Sequence, residues 1–128
     1  MSKGYTGWAL AEADRAALLA RFPPAYGTVV AEHVTHTFGV DPNHPLPTAT
    51  SGRVVGVADD GRGVQALVVE IGGSTARPDG SAFHVTWSLD PGRAARESND
   101  VIAARGWAPV EPVPLGLEPR FFPMRRRR

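Results

Sequence analysis

Two short runs carry the residues best able to do chemistry: His33-Val34-Thr35-His36 and His84-Val85-Thr86-Trp87, whose histidines lie 51 positions apart. Both sit in β-prone surroundings, and side chains two apart on a strand share a face. The alternation predicts His33, Thr35 and Thr37 on one face of the first strand, and His84, Thr86 and Ser88 on one face of the second. Val34, His36 and Phe38 then point the other way, as do Val85, Trp87 and Leu89. If the strands lie near each other, two imidazoles and up to four hydroxyls converge on one cleft suited to a phosphate. In-line attack of water on a phosphodiester needs a base for the water's proton and an acid for the departing oxygen. Imidazole, with an ordinary pKa of about 6.5, can be either near neutral pH. The hydroxyls can donate to the non-bridging oxygens and hold the phosphorus between the two rings. Such a pair predicts a bell-shaped pH profile.

A single H-x-T in a strand is weak, because most such histidines are surface or packed residues. Two copies of H-V-T in the same local context carry more weight. The pattern resembles the 2H phosphoesterase superfamily, which usually acts on 2′,3′-cyclic phosphates, 2′–5′ linkages or other cyclic nucleotides. The resemblance spans most of the chain. It implies an α+β, bilobal fold in which two small antiparallel sheets face a central groove with helices outside. It also implies a metal-independent phosphodiesterase with His33 and His84 as base and acid and Thr35 and Thr86 gripping the phosphate, needing no cofactor. Gly4-Tyr5-Thr6-Gly7 at the start of a strand and Glu97-Ser98-Asn99-Asp100 in a helix look like the cyclic phosphodiesterase domain of fungal tRNA ligases and similar short bacterial or phage 2H proteins. In that type the product is a 2′-phosphate. Two departures stand out. The residue after each Thr is usually apolar in the family, and here one copy has His36. The motifs also lie closer together than in the larger RNA 2′,3′-cyclic phosphodiesterases, whose substrate-covering insertions are expected to be missing.

The expected substrate is an RNA end or a small cyclic nucleotide. A cyclic oligonucleotide or a 2′–5′ oligonucleotide is the alternative within the same chemistry, and a module that holds a nucleotide without cleaving it is the alternative outside it. Tyr5 is the first candidate to stack on a base, and Thr37, Ser88 and Arg77 are further candidate contacts, although an arginine in a turn-rich loop is ordinarily solvated. A histidine metal site of His33, His84 and His36 is disfavoured, because alternation points His36 away from His33. His44 reads as an exposed loop residue.

The elements that must position these residues follow from hydropathy and punctuation. Lys3 to Leu10 alternates and reads as a strand; Ala11 to Phe22 reads as a helix, with Glu12 and Asp14 at its start, Arg21 at its end, and Pro23-Pro24 as the stop. A strand-like piece, Thr28 to Val30, leads into the first H-x-T strand. Asp41 to Gly52, with three prolines, is a loop and a candidate rim over the cleft. Arg53 to Ala58 and Gly63 to Ile71 flank Asp59-Asp60-Gly61-Arg62, a hairpin turn, and the nearly all-apolar Val64 to Val69 suggests cover on both faces. After the second motif, Asp90 reads as a cap, Pro91 as the first helical residue and Gly106 as the stop. Glu97, Asn99 and Asp100 then fall on a solvated face. Trp107 to Leu117, interrupted by prolines, is at best an edge strand. The expected order is β-α-β-β-β-β-α-β.

The chain has 128 residues, 42% of them hydrophobic, which suits one domain over 1–124. No cysteine leaves neither a disulfide framework nor a thiolate metal site. The opening Met1-Ser2-Lys3-Gly4-Tyr5 lacks a signal peptide's apolar core and no run approaches membrane-spanning length, so the expected setting is cytoplasmic, without a membrane or an obligate protein partner. Net charge is +1, but with Arg125–Arg128 set aside ten basic side chains face 13 acidic ones, leaving −3. The arginine run reads as a disordered tail and does not by itself argue for nucleic-acid binding.

Overall fold

Within residues 3–124, the part of the chain that the computed structural model describes, two helices and seven strands follow one another as β1 (Gly4–Leu10), α1 (Glu12–Arg21), β2 (Thr28–Val29), β3 (His33–Val40), β4 (Ser51–Asp59), β5 (Val64–Glu70), β6 (His84–Leu89), α2 (Glu97–Arg105) and β7 (Ala108–Pro123). The expected arginine tail, Arg125–Arg128, lies outside the described residues. All strand pairs are antiparallel. They join one sheet in the order β2-β6-β5-β4-β7-β1-β3, where two small sheets were expected.

The joint is β7. Its residues up to Gly116 pair with β4, and Leu117 to Pro123 pair with β1. Each half therefore has a strand on one side only, which explains how a 16-residue strand carries Pro109, Pro112, Pro114, Pro119 and Pro123. A proline has no N–H for the ladder, and that loss is harmless on an open side. A second crossing runs the other way. Val30 and Ala31 donate backbone hydrogen bonds to Trp87 and Thr86 of β6 (both 2.9 Å), whereas from His33 onward the chain pairs with β1. The switch occurs at Ala31, a fully buried residue held at φ +46. A left-handed φ on a residue with a Cβ persists where the surroundings enforce it. Here Arg15 of α1 donates to the Ala31 carbonyl at 2.7 Å. The first histidine follows two residues later.

The sheet buries apolar side chains on both faces, as the nearly all-apolar run of β5 anticipates. On one face Trp8, Val34, Leu67, Val85, Trp87 and their neighbours pack under Leu18 of α1. On the other, Val64, Ala66, Val68 and Leu89 pack under Val101 and Ile102 of α2. The C-terminal end of α1 is pinned to the sheet. Trp87 Nε1 donates to the Phe22 carbonyl left open at the end of α1 (2.7 Å). Gln65 takes the Ala25 N–H (2.9 Å) and donates to the Pro23 carbonyl (3.3 Å).

α2 begins at Glu97, not at Pro91 as the cap signal predicts. Gly92 sits at φ +85, which breaks the turn. Arg93 instead bridges Asp60 of the β4–β5 turn (2.9 Å) and Glu97 (3.0 Å), and Glu97 accepts the Ala94 N–H at 2.7 Å. The delayed start matters, because it turns Ala95, Arg96 and Asn99 toward the second H-x-T strand.

Gly7 gives a first expected outcome. It pairs with Thr35, and a Cβ at Gly7 would overlap the Val34 carbonyl oxygen and come within 3.0 Å of Thr35 Cα. Gly7→Ala should push β3 off β1, costing about 1–3 kcal/mol of stability, as overpacking usually does, and lowering any activity that depends on Thr35. A urea titration with an unchanged midpoint would show that the strand pair tolerates a methyl group there.

Candidate active site

β3 ends the sheet on one side, and β6 lies one strand from the other end. The crossing at Ala31 brings the two together. Between them lies a groove of about 500 Å³ whose walls include His33, Thr35, His84 and Thr86. Tyr5 and Arg77 also line it.

Thr37 and Ser88 do not line the groove, contrary to the alternation that placed them there. The reason is the same in both strands. Thr35 pairs with Gly7 and Thr37 with Thr6, so His36 is an extra residue with no partner. Thr86 pairs with Ala66 and Ser88 with Gln65, which leaves Trp87 as the extra residue. Each H-V-T is followed at once by a bulge, and a bulge resets which side chain faces which way. Ser88 is fully buried and donates to Gln65 Oε1 at 2.5 Å. Thr37 Oγ1 lies 2.7 Å from His36 Nδ1. Phe38, expected on the far face, is turned into the groove, where its ring is 63% exposed and stacks on Tyr5 with centroids 6.0 Å apart. His36 does point away from His33. Its ring meets Trp8 edge-on at 5.5 Å and lies parallel to Phe83 at 6.3 Å.

The two imidazoles have different surroundings. His33 is wedged between Tyr5 (5.1 Å between centroids) and Phe122 (5.0 Å), and its Nδ1 is 4.0 Å from the Glu32 carboxylate. Burial pushes its pKa below the ordinary 6.5, and Glu32 opposes that shift. His84 Nδ1 donates to the Ala82 carbonyl at 2.9 Å, a tautomer that leaves the lone pair on Nε2. Burial also lowers the His84 pKa; the Ala82 carbonyl opposes this, while the charges of Arg77 and His33 add to it. The charge of His33 thus reaches the second imidazole.

The hydroxyls differ as well. Thr86 is nearly buried, and its Oγ1 donates to the Ala95 carbonyl (3.2 Å) and lies 2.9 Å from the buried Ser98 Oγ. This tie holds β6 against the first turn of α2. Thr35 is only half-buried.

Arg77 is the residue whose surroundings differ most from a reading by type. It is 8% exposed, not solvated. The loop carrying it is drawn onto the sheet by the Ala76–Ala82 bridge and by the Arg77 N–H, which donates to Ser81 at 2.7 Å. Among the described residues its one ion pair is long, 3.7 Å to Asp79, and its buried Nε has no hydrogen-bond partner. A buried guanidinium so poorly compensated favours an anion beside it. Asn99 is a second residue that type alone did not single out. Placed on the expected solvated face of α2, it instead lines the groove, with Oδ1 buried and, among the described residues, unpartnered. Only the delayed helix start could have revealed this, and it rests on Gly92. His44, in the turn closed by its N–H to the Asp41 carbonyl (2.9 Å), is exposed, as expected.

Among the described residues, no three His, Asp or Glu side chains gather closely enough to hold a metal ion, and no helix is long and apolar enough to cross a membrane.

The lowered pKa values of His33, His36 and His84 have a consequence for stability. In all three burial is the first cause, so the unfolded chain, with its histidines near 6.5, binds more protons than the folded one over the window below that value. Stability contributed by these rings is full above about pH 6.5 and declines as the pH falls through the folded values. Thermal melts between about pH 7.5 and 5.5 should show a falling midpoint, and a flat profile would contradict the burial of these rings.

A scan of family models, a search of curated proteins and a search of solved structures each find no match to this chain.

Proposed function

We propose that the chain is a metal-independent phosphodiesterase of the 2H type, opening a nucleoside or RNA-terminal 2′,3′-cyclic phosphate by two-histidine acid–base catalysis. The observation that carries the reading is the shared groove, with an imidazole and a threonine from each H-x-T strand on its walls. In this reading the one sheet, with an H-x-T strand on either side of β7, does the work that the family likeness gives to two lobes.

The unequal surroundings support a division of roles. In the free protein His84, with its Nδ1–H committed to Ala82 and Arg77 nearby, is the neutral ring and takes the proton of the attacking water on Nε2. His33, beside the Glu32 carboxylate, is the ring better able to hold a proton, and it protonates the departing ribose oxygen. Thr35 and Thr86 donate to the non-bridging oxygens, and for Thr86 this means exchanging the Ala95 carbonyl for the phosphate. Arg77 supplies the fixed positive charge, which in a site partly shielded from water is worth more than at the surface. Tyr5 and Phe38 form an aromatic shelf at one end of the groove, which supports a nucleoside over a plain phosphate ester. The product, by the same family likeness, is a 2′-phosphate.

The test is incubation with 2′,3′-cyclic nucleotides, 2′–5′ oligoadenylates and cyclic dinucleotides, each with and without EDTA. Turnover of the first group that survives EDTA is expected, with a bell-shaped kcat/KM centred below about 6.5, because both rings titrate below their ordinary value. Tight binding of these nucleotides without turnover would instead establish a binding module.

A further inference from the structure

Arg77 lines two cavities. One is the groove; the other, of about 490 Å³, opens beside Trp8, His36, Thr48 and Phe83. His36 is the imidazole that the acid–base pair leaves unused, and it faces this second cavity together with Arg77. The charges of Arg77 and His44 both reach His36 and disfavour its protonation. A cavity edged by an under-compensated guanidinium and an imidazole, with Trp8 and Phe83 as its apolar wall, suits an anion tethered to something flat. Arg77 links the sites because it lines both, and among the described residues its buried Nε–H has no partner.

We infer that the cavity of Arg77, His36 and Thr48 is a second phosphate subsite, so that the preferred ligand carries another phosphate besides the one placed between His33 and His84. The inference rests on the reading of the groove as a phosphodiester site and names the substrate class: a cyclic phosphate that ends a strand, or a nucleotide with a further phosphate on its 5′ oxygen. Both supply the same anion. Thr37 Oγ1 holds His36 Nδ1, and when that hydroxyl is the donor the ring's own proton lies on Nε2, free to donate to a phosphate oxygen. Arg77 then serves both phosphates from one position.

The experiment compares adenosine 2′,3′-cyclic phosphate, the same compound bearing a 5′-phosphate, and an adenylyl dinucleotide ending in the cyclic phosphate. At low salt, kcat/KM for one or both of the longer ligands should exceed that of the first by about tenfold or more, a ratio in keeping with one charge-assisted hydrogen bond. His36→Phe keeps the packing against Trp8 and Phe83 and should bring the ratio to within about twofold of unity, the rate on the first substrate being unchanged. If His36→Phe melts early, His36→Gln serves in its place. A preference confined to the dinucleotide identifies the strand backbone as the source; an equal preference admits the 5′-phosphate. In parallel, calorimetry with adenosine 3′-monophosphate and adenosine 3′,5′-bisphosphate reads the subsite without turnover. A bisphosphate preference lost in the His36 variant supports the subsite even if nothing is hydrolysed, an outcome that would remove the hydrolase reading alone. Equal turnover and equal affinity for ligands with one and two phosphates would overturn the subsite and leave the hydrolase standing.

Discussion

Replacing His84 by alanine is expected to lower turnover of a nucleoside 2′,3′-cyclic phosphate by about 10²–10⁴-fold, the range that a positioned general acid or base contributes. The fold should survive, because the ring makes one hydrogen bond to the protein, from Nδ1 to Ala82. His33 calls for a different substitution. Its ring is packed between Tyr5 and Phe122, so alanine would open a gap, whereas His33→Phe keeps an aromatic ring there and removes only the proton chemistry. The same loss of rate is expected from His33→Phe, with a melting temperature near that of the parent. The two losses should not add, since a base without its acid, or the reverse, leaves the same incomplete reaction. Parent-like rates in either variant would remove the mechanism.

The second large effect is at Thr35. Removal of a single hydroxyl that stabilises transition-state charge typically lowers kcat by about 10²–10³-fold. Thr35→Ala should fall in that range, and Thr35→Ser, which retains the donor, should recover most of the rate. Thr86→Ala is expected to lose rate to a similar degree and also to lose about 1 kcal/mol of stability, because its Oγ1 joins β6 to Ala95 and Ser98. An unfolding midpoint shifted equally in Thr35→Ala and Thr86→Ala would show that this tie has no special weight.

The sequence carries the site up to each threonine and no further. Period-2 alternation is sound within H-V-T, because Ala9, Trp8 and Gly7 pair in step with His33, Val34 and Thr35. It fails at the next residue in both strands, where the ladder admits an extra residue. Nothing in the side chains of His36 or Trp87 announces that extra residue, since a bulge is decided by how two strands match over distance. The burial of Arg77 is hidden for a related reason: a Pro- and Gly-rich stretch reads as a solvated loop, but the Ala76–Ala82 bridge folds it back onto the sheet. Local signals did well where one residue decides the outcome, as at Pro23-Pro24 after α1 and at Gly61 in the β4–β5 turn, whose φ is +69. They did less well where a local signal competes with a tertiary contact. Pro91 favours a helix start, but Gly92 and the Arg93–Asp60 pair hold the chain in turns until Glu97. The prolines of β7 argue for an edge, and each half of that strand does have one open side, yet its two halves together hold the sheet in one piece.

The claim on which the rest depends is that His33 and His84 address one phosphate. Imidazole titrations followed by nuclear magnetic resonance, with and without saturating nucleoside 2′-monophosphate, test it without reliance on turnover. Both rings should titrate below 6.5 in the free protein and both should move upward when the ligand binds, with one shared dissociation constant. A ligand that shifts only one ring, or neither, would contradict a common phosphate site.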